Sequence, residues 1–234
     1  MALPKLQTSE YKLTVPSTQE EIKYRAFLVK EQKVLMIAQE SGDEKMIANA
    51  LSSLVFDCTF GKVDATKNPM FDVEYIFLKI RAKSVGEFVD LSIICPDDEV
   101  TSVVKRVNIG EIDLQINENH SNKIDITDSI KLYLNYPILS DMGLITDEND
   151  SDTTFKMICR CFKELHSGDE IYHRVDIKDN DINEFLDQLN TEQFMGVTNF
   201  FETMPKLRHV VEVTNPKTNV TSEVLLEGLQ SFLG

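Results

Sequence analysis

The chain has 234 residues, of which 42% are hydrophobic and 27% charged, an ordinary globular mixture for one large domain or two small ones. Its 39 acidic and 24 basic residues give a net charge of −15, which repels phosphate backbones and anionic membranes. No apolar run reaches the roughly 18–20 residues that cross a bilayer. We therefore expect neither a membrane span nor a nucleic-acid partner.

The first 58 residues predict a hairpin followed by two helices. Apolar residues alternate with polar ones over 10–28, on both sides of a turn at Pro16. The next stretch, 29–40, predicts a helix whose inner face we assign to four residues: Val29, Val34, Leu35 and Ala38. The helix predicted over 44–58 carries one continuous apolar stripe, so Cys58 at its end is expected to be a core residue.

The pattern changes from helix to strand in the middle of the chain. Asp72 is placed to N-cap a third helix, because its carboxylate can accept from free backbone amides there. The inner face of this helix is predicted from its spacing: Val73, Ile76, Phe77 and Ile80. From 87 to 134, alternating apolar residues then predict short antiparallel strands, with turns at Pro96 and at 117–122.

Residues 140–152 are the best candidate boundary, because they hold four Asp and one Glu but no Lys or Arg. We therefore expect an N-terminal α+β half over 1–139, an acidic linker over 140–152, and a C-terminal helical half over 153–234. The predicted fold class is α+β, with helix pairs packed against short antiparallel β-hairpins in two similar halves.

The C-terminal half has its own predicted elements. An amphipathic helix is expected over 155–165, followed by a strand over 171–177. Two more helices are expected, one capped by Asp179 or Asp181 and the next by Thr191. The chain is expected to end in a long hairpin over 207–226, with its turn at 215–219.

Searches for catalytic or metal-binding motifs find none. The nine glycines do not form a phosphate-binding loop, and no helix carries paired histidines for zinc. Cys159 and Cys161 would point about 200° apart on a helix, so they could not share an ion. We expect one of them buried and the other partly exposed. With no secretory signal visible, all four cysteines are expected to be reduced, and we predict no catalytic, cofactor-binding or metal residue.

The C-terminal tail is the candidate protein-binding segment. It is rich in apolar residues and looks exposed, so it could cover an apolar face of a partner. The predicted partner-binding residues are Leu226, Leu229, Phe232 and Leu233. The alternative is that this tail packs on its own domain.

Several segments, spread over most of the chain, together resemble the hub subunit, or hub assembly protein, of T-even-type phage baseplates. The most specific is DVEYIFLKIRAKSVGE at 72–87. The others lie near the two ends: LPKL at 3–6, YKLTVPST at 11–18, YRAFLVKEQK at 24–33, ESGD at 40–43, FFETMPKL at 200–207 and LEGLQSF at 226–232.

The resemblance implies a non-enzymatic role in building the central hub of a contractile-tail baseplate. Its implied partners are other baseplate hub or tail assembly proteins, without nucleic acid, membrane or small-molecule substrate. The implied location is the host bacterial cytoplasm during assembly, with the virion's tail baseplate as a further possibility. Some relatives place cysteine pairs in two hairpin turns, as zinc ribbons do. This chain has only Cys95 in the first turn and none in the second, so we expect no metal there.

Two alternatives remain open. The acidic surface and the apolar tail also suit a transient assembly chaperone that is absent from the finished virion. The clustered carboxylates leave room for a hydrolase, which would require a pocket with two carboxylates, one with a strongly raised pKa.

Overall fold

The computed structural model describes residues 7–141 and 151–232, and the predicted α+β class is confirmed. Within these residues there are six helices: α1 (Val29–Ser41), α2 (Glu44–Cys58), α3 (Met70–Val85), α4 (Ser151–Cys161), α5 (Asp179–Leu186) and α6 (Thr191–Thr203). The strands are β1 (Glu10–Thr14), β2 (Glu21–Arg25), β3 (Phe88–Ile94), β4 (Ser102–Asn108), β5 (Leu114–Gln115), β6 (Lys123–Asp125), β7 (Ile130–Leu134), β8 (Phe162–Ser167), β9 (Glu170–His173), β10 (Lys206–Thr214) and β11 (Thr221–Glu227).

The chain divides into two compact units. The first unit comprises 1–115 and 206–234, and the second comprises 116–205. The predicted linker at 140–152 therefore falls within the second unit, and most of it, 142–150, lies outside the described residues. The prediction of two similar halves stays a prediction.

Net charge is distributed unevenly between the units. The second unit has 18 acidic and 7 basic residues, a net charge of −11. The larger first unit has 21 acidic and 17 basic residues, a net charge of −4. The acidity that the whole-chain composition indicates is thus mainly a property of the second unit.

The first unit is built around α3 and three small antiparallel sheets. Two sheets are the hairpins β1–β2 and β3–β4, and the third has the order β11-β10-β5. The long C-terminal hairpin predicted over 207–226 is confirmed, and its first strand returns to pair with β5 through Leu207 and Leu114. Several α3 side chains are fully buried: Ile76, Phe77, Leu78 and Ile80.

The boundary between α1 and α2 follows from local chemistry. Gly42 adopts a φ of 66°, a left-handed conformation that favours glycine, and it ends α1. Asp43 then caps α2, because its carboxylate accepts from the backbone amides of Lys45 and Met46. The predicted apolar stripe of α2 is confirmed, and Cys58 is fully buried.

The predicted N-cap role of Asp72 is wrong. The N-cap residue of α3 is Pro69, so Asp72 lies inside the first turn. Its buried carboxylate accepts from both the backbone N–H and the hydroxyl of Ser17, in the turn of the first hairpin. Burial raises the pKa of Asp72 while these hydrogen bonds oppose the increase. This contact ties the β1–β2 hairpin to α3.

The second unit has one four-stranded antiparallel sheet in the order β6-β7-β8-β9. The helix predicted over 155–165 is wrong in its second part, because α4 ends at Cys161 and the chain continues directly into β8. Pairing with β7 sets Leu165 opposite the buried Leu132, and this long-range pairing overrides the local helical spacing. Helices α4, α5 and α6 contribute to the same core, which holds these buried residues: Ile124, Leu132, Leu134, Ile158, Phe162, Ile182, Val197 and Phe200.

Two helix starts in this unit differ from the predicted ones by one residue or more. The N-cap of α6 is Asn190, whose side chain accepts from the Gln193 amide while the Gln193 side chain accepts from the Asn190 amide. The N-cap of α5 is Lys178, and Asp181 accepts from its backbone N–H at 3.0 Å. Both corrections keep the predicted helices and move only their starts.

Candidate protein-interaction surface

Helix α1 presents an apolar surface to solvent. It packs against α2, and Leu35 and Ala38 are buried, as predicted for its inner face. Placing Val29 and Val34 on the inner face is wrong, since they are 76% and 53% exposed. Outward-facing apolar side chains that are half exposed or more form what we call the α1 face: Val29, Val34, Met36 and Ile37.

A groove runs between α1 and α2 beside this face and contains a cavity of about 180 Å³. Its lining combines apolar and charged side chains: Lys30, Glu31, Val34, Ala50, Ser53, Leu54 and Asp57. The apolar floor can take an apolar side chain, and the Lys30 and Asp57 side chains, of opposite sign, can pair with polar groups around it. This combination resembles the apolar centre and polar rim of protein–protein interfaces.

The start of α1 is held by a nearly buried ion pair. The Arg25 guanidinium contacts the Glu31 carboxylate at 3.0 Å, and their side chains are 11% and 6% exposed. The same carboxylate accepts from the Leu28 backbone N–H at 2.6 Å. Burial alone would raise the pKa of Glu31, but the hydrogen bonds from Arg25, Leu28 and Lys30 outweigh it and hold that pKa below its ordinary value. The groove therefore sits beside a fixed helix start.

Two hairpin turns of the first unit are joined by a polar cluster. Asn215 is fully buried, and its side-chain amide donates to both Asp97 carboxylate oxygens at 3.0 Å. The Thr218 hydroxyl donates to Asp97 as well, at 2.5 Å. These hydrogen bonds hold the β3–β4 turn against the β10–β11 turn, and they lower the pKa of Asp97.

The residues at these turns do not fit a zinc ribbon. Cys95 is buried, burial raises its thiol pKa, and the equivalent position in the other turn is Asn215. A zinc ribbon needs several thiolate ligands, whereas Cys95 is the only cysteine in these two turns. Within 7–141 and 151–232, no group of three or more His, Cys, Asp or Glu side chains is arranged to hold a metal ion.

The other cysteines are also core residues. Cys159 and Cys161 are 4% and 1% exposed, so the expectation that one of them would be partly exposed is wrong. The Cys159 sulfur lies 3.3 Å from the side-chain oxygen of Asn183, and the Cys161 sulfur lies 3.9 Å from the Met157 sulfur. Burial raises both thiol pKa values. These thiols are therefore poor nucleophiles.

The predicted partner-binding tail is largely buried in the first unit. Leu226, Leu229 and Phe232 are 8%, 5% and 0% exposed, so for these three the alternative, that the tail packs on its own domain, is confirmed. Leu233 lies outside the described residues. Partner binding by these four residues stays a prediction, and for the three described ones it requires their release from the core.

Glu74 holds the tail in place. It is 7% exposed, and its carboxylate accepts from the Leu229 backbone N–H at 3.2 Å. Burial raises the pKa of Glu74 to about 7, and the nearby Glu227 carboxylate adds to this increase. A raised carboxyl pKa is one requirement of the hydrolase alternative. Here, however, the carboxylate faces the chain's own backbone, and Glu227 is paired with Lys206 and Arg208.

His120 is the structural centre of a polar cluster in the second unit. One ring nitrogen lies 2.9 Å from the Thr203 hydroxyl and the other 3.0 Å from the Tyr136 hydroxyl. Its ring also packs against that of Phe200 in a tilted arrangement, with centroids 5.2 Å apart. Burial lowers the pKa of His120, so the neutral ring is the favoured form.

Comparison with protein families decides the identity of the chain. The model of the family described as T4 bacteriophage base plate protein matches residues 8–234. The chain belongs to this family. No curated protein and no solved structure matches it.

The base plate family match covers both compact units, including all elements that form the α1 face and the tail. It indicates a structural role in the phage tail together with other baseplate proteins. In the described part of this base plate protein, no helix is both long and apolar enough to cross a membrane.

Sequence reasoning missed the α1 face, although a signal for it existed. Apolar residues occur on more than one side of α1, because Met36 and Ile37 lie about 100° or more around the helix from the buried Leu35 and Ala38. A helix that faces only its own core has a single apolar stripe. Apolar residues outside that stripe indicate a second contact surface in this base plate protein.

Proposed function

We propose that this chain is a non-enzymatic baseplate protein that takes part in assembling the central hub of a phage tail. The observation that carries the proposal is the family match over 8–234. The segments at both ends and at 72–87 that resemble hub proteins support the narrower assignment to the hub. Assembly would take place in the host bacterial cytoplasm, before the completed baseplate enters the virion.

Other hub or tail assembly proteins are the proposed partners, and the α1 face is the proposed contact. A partner that covers this face buries its apolar side chains. Burial contributes roughly 25 cal/mol of favourable binding free energy per Å² of apolar area. The net charge of −15 disfavours nucleic acid and anionic membrane as partners. A small-molecule substrate is not part of the proposal.

The test is removal of the gene followed by complementation. Infected cells lacking the protein should accumulate no complete baseplates, and the wild-type chain should restore them. Ile37→Glu places a charge in the middle of the α1 face and should restore them poorly, while Gln39→Glu adds the same charge to an exposed position elsewhere on α1. Normal baseplates in the absence of the protein would overturn the proposal.

A transient assembly chaperone is the second candidate. It is favoured by the exposed α1 face together with the strongly acidic second unit, since a chaperone must cover apolar surface without precipitating. Mass spectrometry of purified virions separates the two candidates. Peptides from this chain at a stoichiometry fixed relative to other baseplate proteins support the structural subunit, and their absence supports the chaperone.

A further inference from the structure

Strand β9 forms one edge of the four-stranded sheet of the second unit. Within the described residues β9 pairs only with β8, and all four of its residues, Glu170–His173, are exposed. The opposite edge strand, β6, packs a face against α6 through the Ile124 side chain, near Gly196. Proteins commonly protect open edges with short strands, charged residues, Pro or a bulge. Strand β9 is short and begins with Glu170, but it contains no Lys, Pro or bulge, so its protection does not repel a basic strand.

The register shows which backbone groups point out of this edge. The Gly168 N–H donates to the Ser129 carbonyl at 3.0 Å, so the backbone groups of Gly168 are directed towards β7. Direction alternates along an antiparallel strand, which turns Ser167 towards its β9 partner, Glu170. By the same alternation, the N–H and C=O groups of Ile171 and the N–H group of His173 point away from the sheet and are available to a further strand. The His173 carbonyl is not, because His173 is the N-cap of the short 3-10 helix Arg174–Asp176 and its C=O accepts the first hydrogen bond of that helix.

Apolar side chains accompany these backbone groups. Ile171 and Tyr172 are 52% and 41% exposed, and Val175, in the short 3-10 helix that follows β9, is 90% exposed. An added strand would bury part of this surface while pairing with the backbone of β9. Backbone pairing supplies affinity and flanking side chains supply specificity in such strand addition.

Charge decides which kind of strand fits. The segment 169–187, which contains β9 and α5, has seven acidic and two basic residues. One of the two, Arg174, is already paired with Asp179. A second copy of this chain would bring two units of net charge −11 together, which is unfavourable, whereas a basic strand is attracted.

We propose that β9 is a docking edge for a basic, extended segment of a partner protein, which adds to the sheet as a fifth strand. The segment would alternate apolar residues with Lys or Arg. The proposal rests on the proposed function only in taking this partner to be another baseplate protein.

The probe is a synthetic peptide of alternating Val and Lys residues, added to the full-length protein. Binding is measured by fluorescence anisotropy of the labelled peptide, and the site by hydrogen exchange. We expect the outward amides of Ile171 and His173 to gain protection, because the added strand accepts from them. An alternating Val and Glu peptide of the same length is the charge control.

Two variants separate strand addition from general charge attraction. Ile171→Lys places a positive charge on the edge strand, which opposes pairing with a basic strand. It should weaken binding of the Val-Lys peptide by about tenfold or more. Met195→Lys adds the same charge to α6, at a position 63% exposed, and should change binding by less than about threefold. Ile171→Pro removes one outward N–H without removing a β8 hydrogen bond, and should act like Ile171→Lys.

Three results would overturn the proposal: no binding of the Val-Lys peptide at about 1 mM, equal weakening by Ile171→Lys and Met195→Lys, or concentration-dependent self-association that Ile171→Lys abolishes. The last result would assign the edge to a second copy. Complementation distinguishes this failure from failure of the proposed function. If the gene is required for baseplates but Ile171→Lys complements fully, the docking edge is refuted and the hub assignment stands.

Discussion

Glu74→Gln should remove a pH-dependent loss of stability from the first unit. The Glu74 carboxyl is buried and its pKa is raised to about 7, so the folded chain retains a proton that the unfolded chain releases near pH 4.5. The stability linked to this proton is fully present below pH 4.5 and is lost as the pH rises through 7. A difference of about 2.5 pKa units corresponds to about 3 kcal/mol of unfolding free energy.

Glutamine retains a side-chain carbonyl that can accept from the Leu229 N–H, but it does not ionise. We therefore expect the variant to match wild type at pH 5 more closely than at pH 8, where it should be more stable by up to about 3 kcal/mol. Glu74→Leu is the matched comparison, because it also removes the charge but leaves the buried N–H of Leu229 without its acceptor. The unpaired N–H should lower the unfolding free energy of this variant by about 1–3 kcal/mol at pH 5.

The assay is urea unfolding at a series of pH values, read through hydrogen exchange of the α3 amides so that the first unit alone is followed. Other titrating groups contribute to the wild-type curve, so the informative quantity is the difference between variant and wild type at each pH. Parallel curves for Glu74→Gln and wild type from pH 5 to 8 would refute the assignment of the proton to Glu74.

The remaining predictions concern the core and two polar clusters. Phe232→Ala should lower the unfolding free energy of the first unit by about 3–5 kcal/mol in urea unfolding, whereas Leu225→Ala, half exposed on β11, should lower it by less than about 1 kcal/mol. Asn215→Ala should lower the unfolding free energy by about 1–3 kcal/mol in the same assay, because it removes both hydrogen bonds to Asp97. Asn215→Asp should lower it further, because it places a second carboxylate against Asp97. Unchanged stability in both variants would contradict the stabilising role of this cluster. NMR titration should give His120 a pKa below 6.5, with the second unit losing stability as the pH falls below that value; a pKa at or above 6.5 would contradict the buried neutral ring.

The spacing of apolar residues in the sequence predicted those helices and strands whose conformation depends on the segment itself. The apolar stripe of α2 and the alternation in the C-terminal hairpin are confirmed, because each depends on spacing within one short segment. The β8 segment was missed, since its strand character comes from pairing with β7 rather than from its own spacing. For the same reason, no local pattern indicated that Leu207 pairs with Leu114 and brings the C-terminal hairpin into the first unit.

The same distinction explains which parts of the interaction surface could be predicted. The apolar tail was visible in the sequence, but whether Phe232 is exposed depends on its packing in the core of the first unit, beside Leu207 and other distant residues. The exposed Val29 and Val34 show the converse, because their spacing predicted the inner face of α1 and only the neighbouring elements decide which side of the helix is covered.

Two surfaces of different chemistry follow from the structure. The α1 face is apolar and lies in a unit of net charge −4, whereas the β9 edge combines backbone donors and acceptors with a unit of net charge −11. Apolar burial is little affected by salt, while attraction of a basic strand is screened as ionic strength rises. Because the two surfaces share no residue, Ile37→Glu and Ile171→Lys should weaken assembly independently. Only the effect of Ile171→Lys should shrink as salt concentration increases, and equal salt dependence of the two effects would show that one shared surface is being measured.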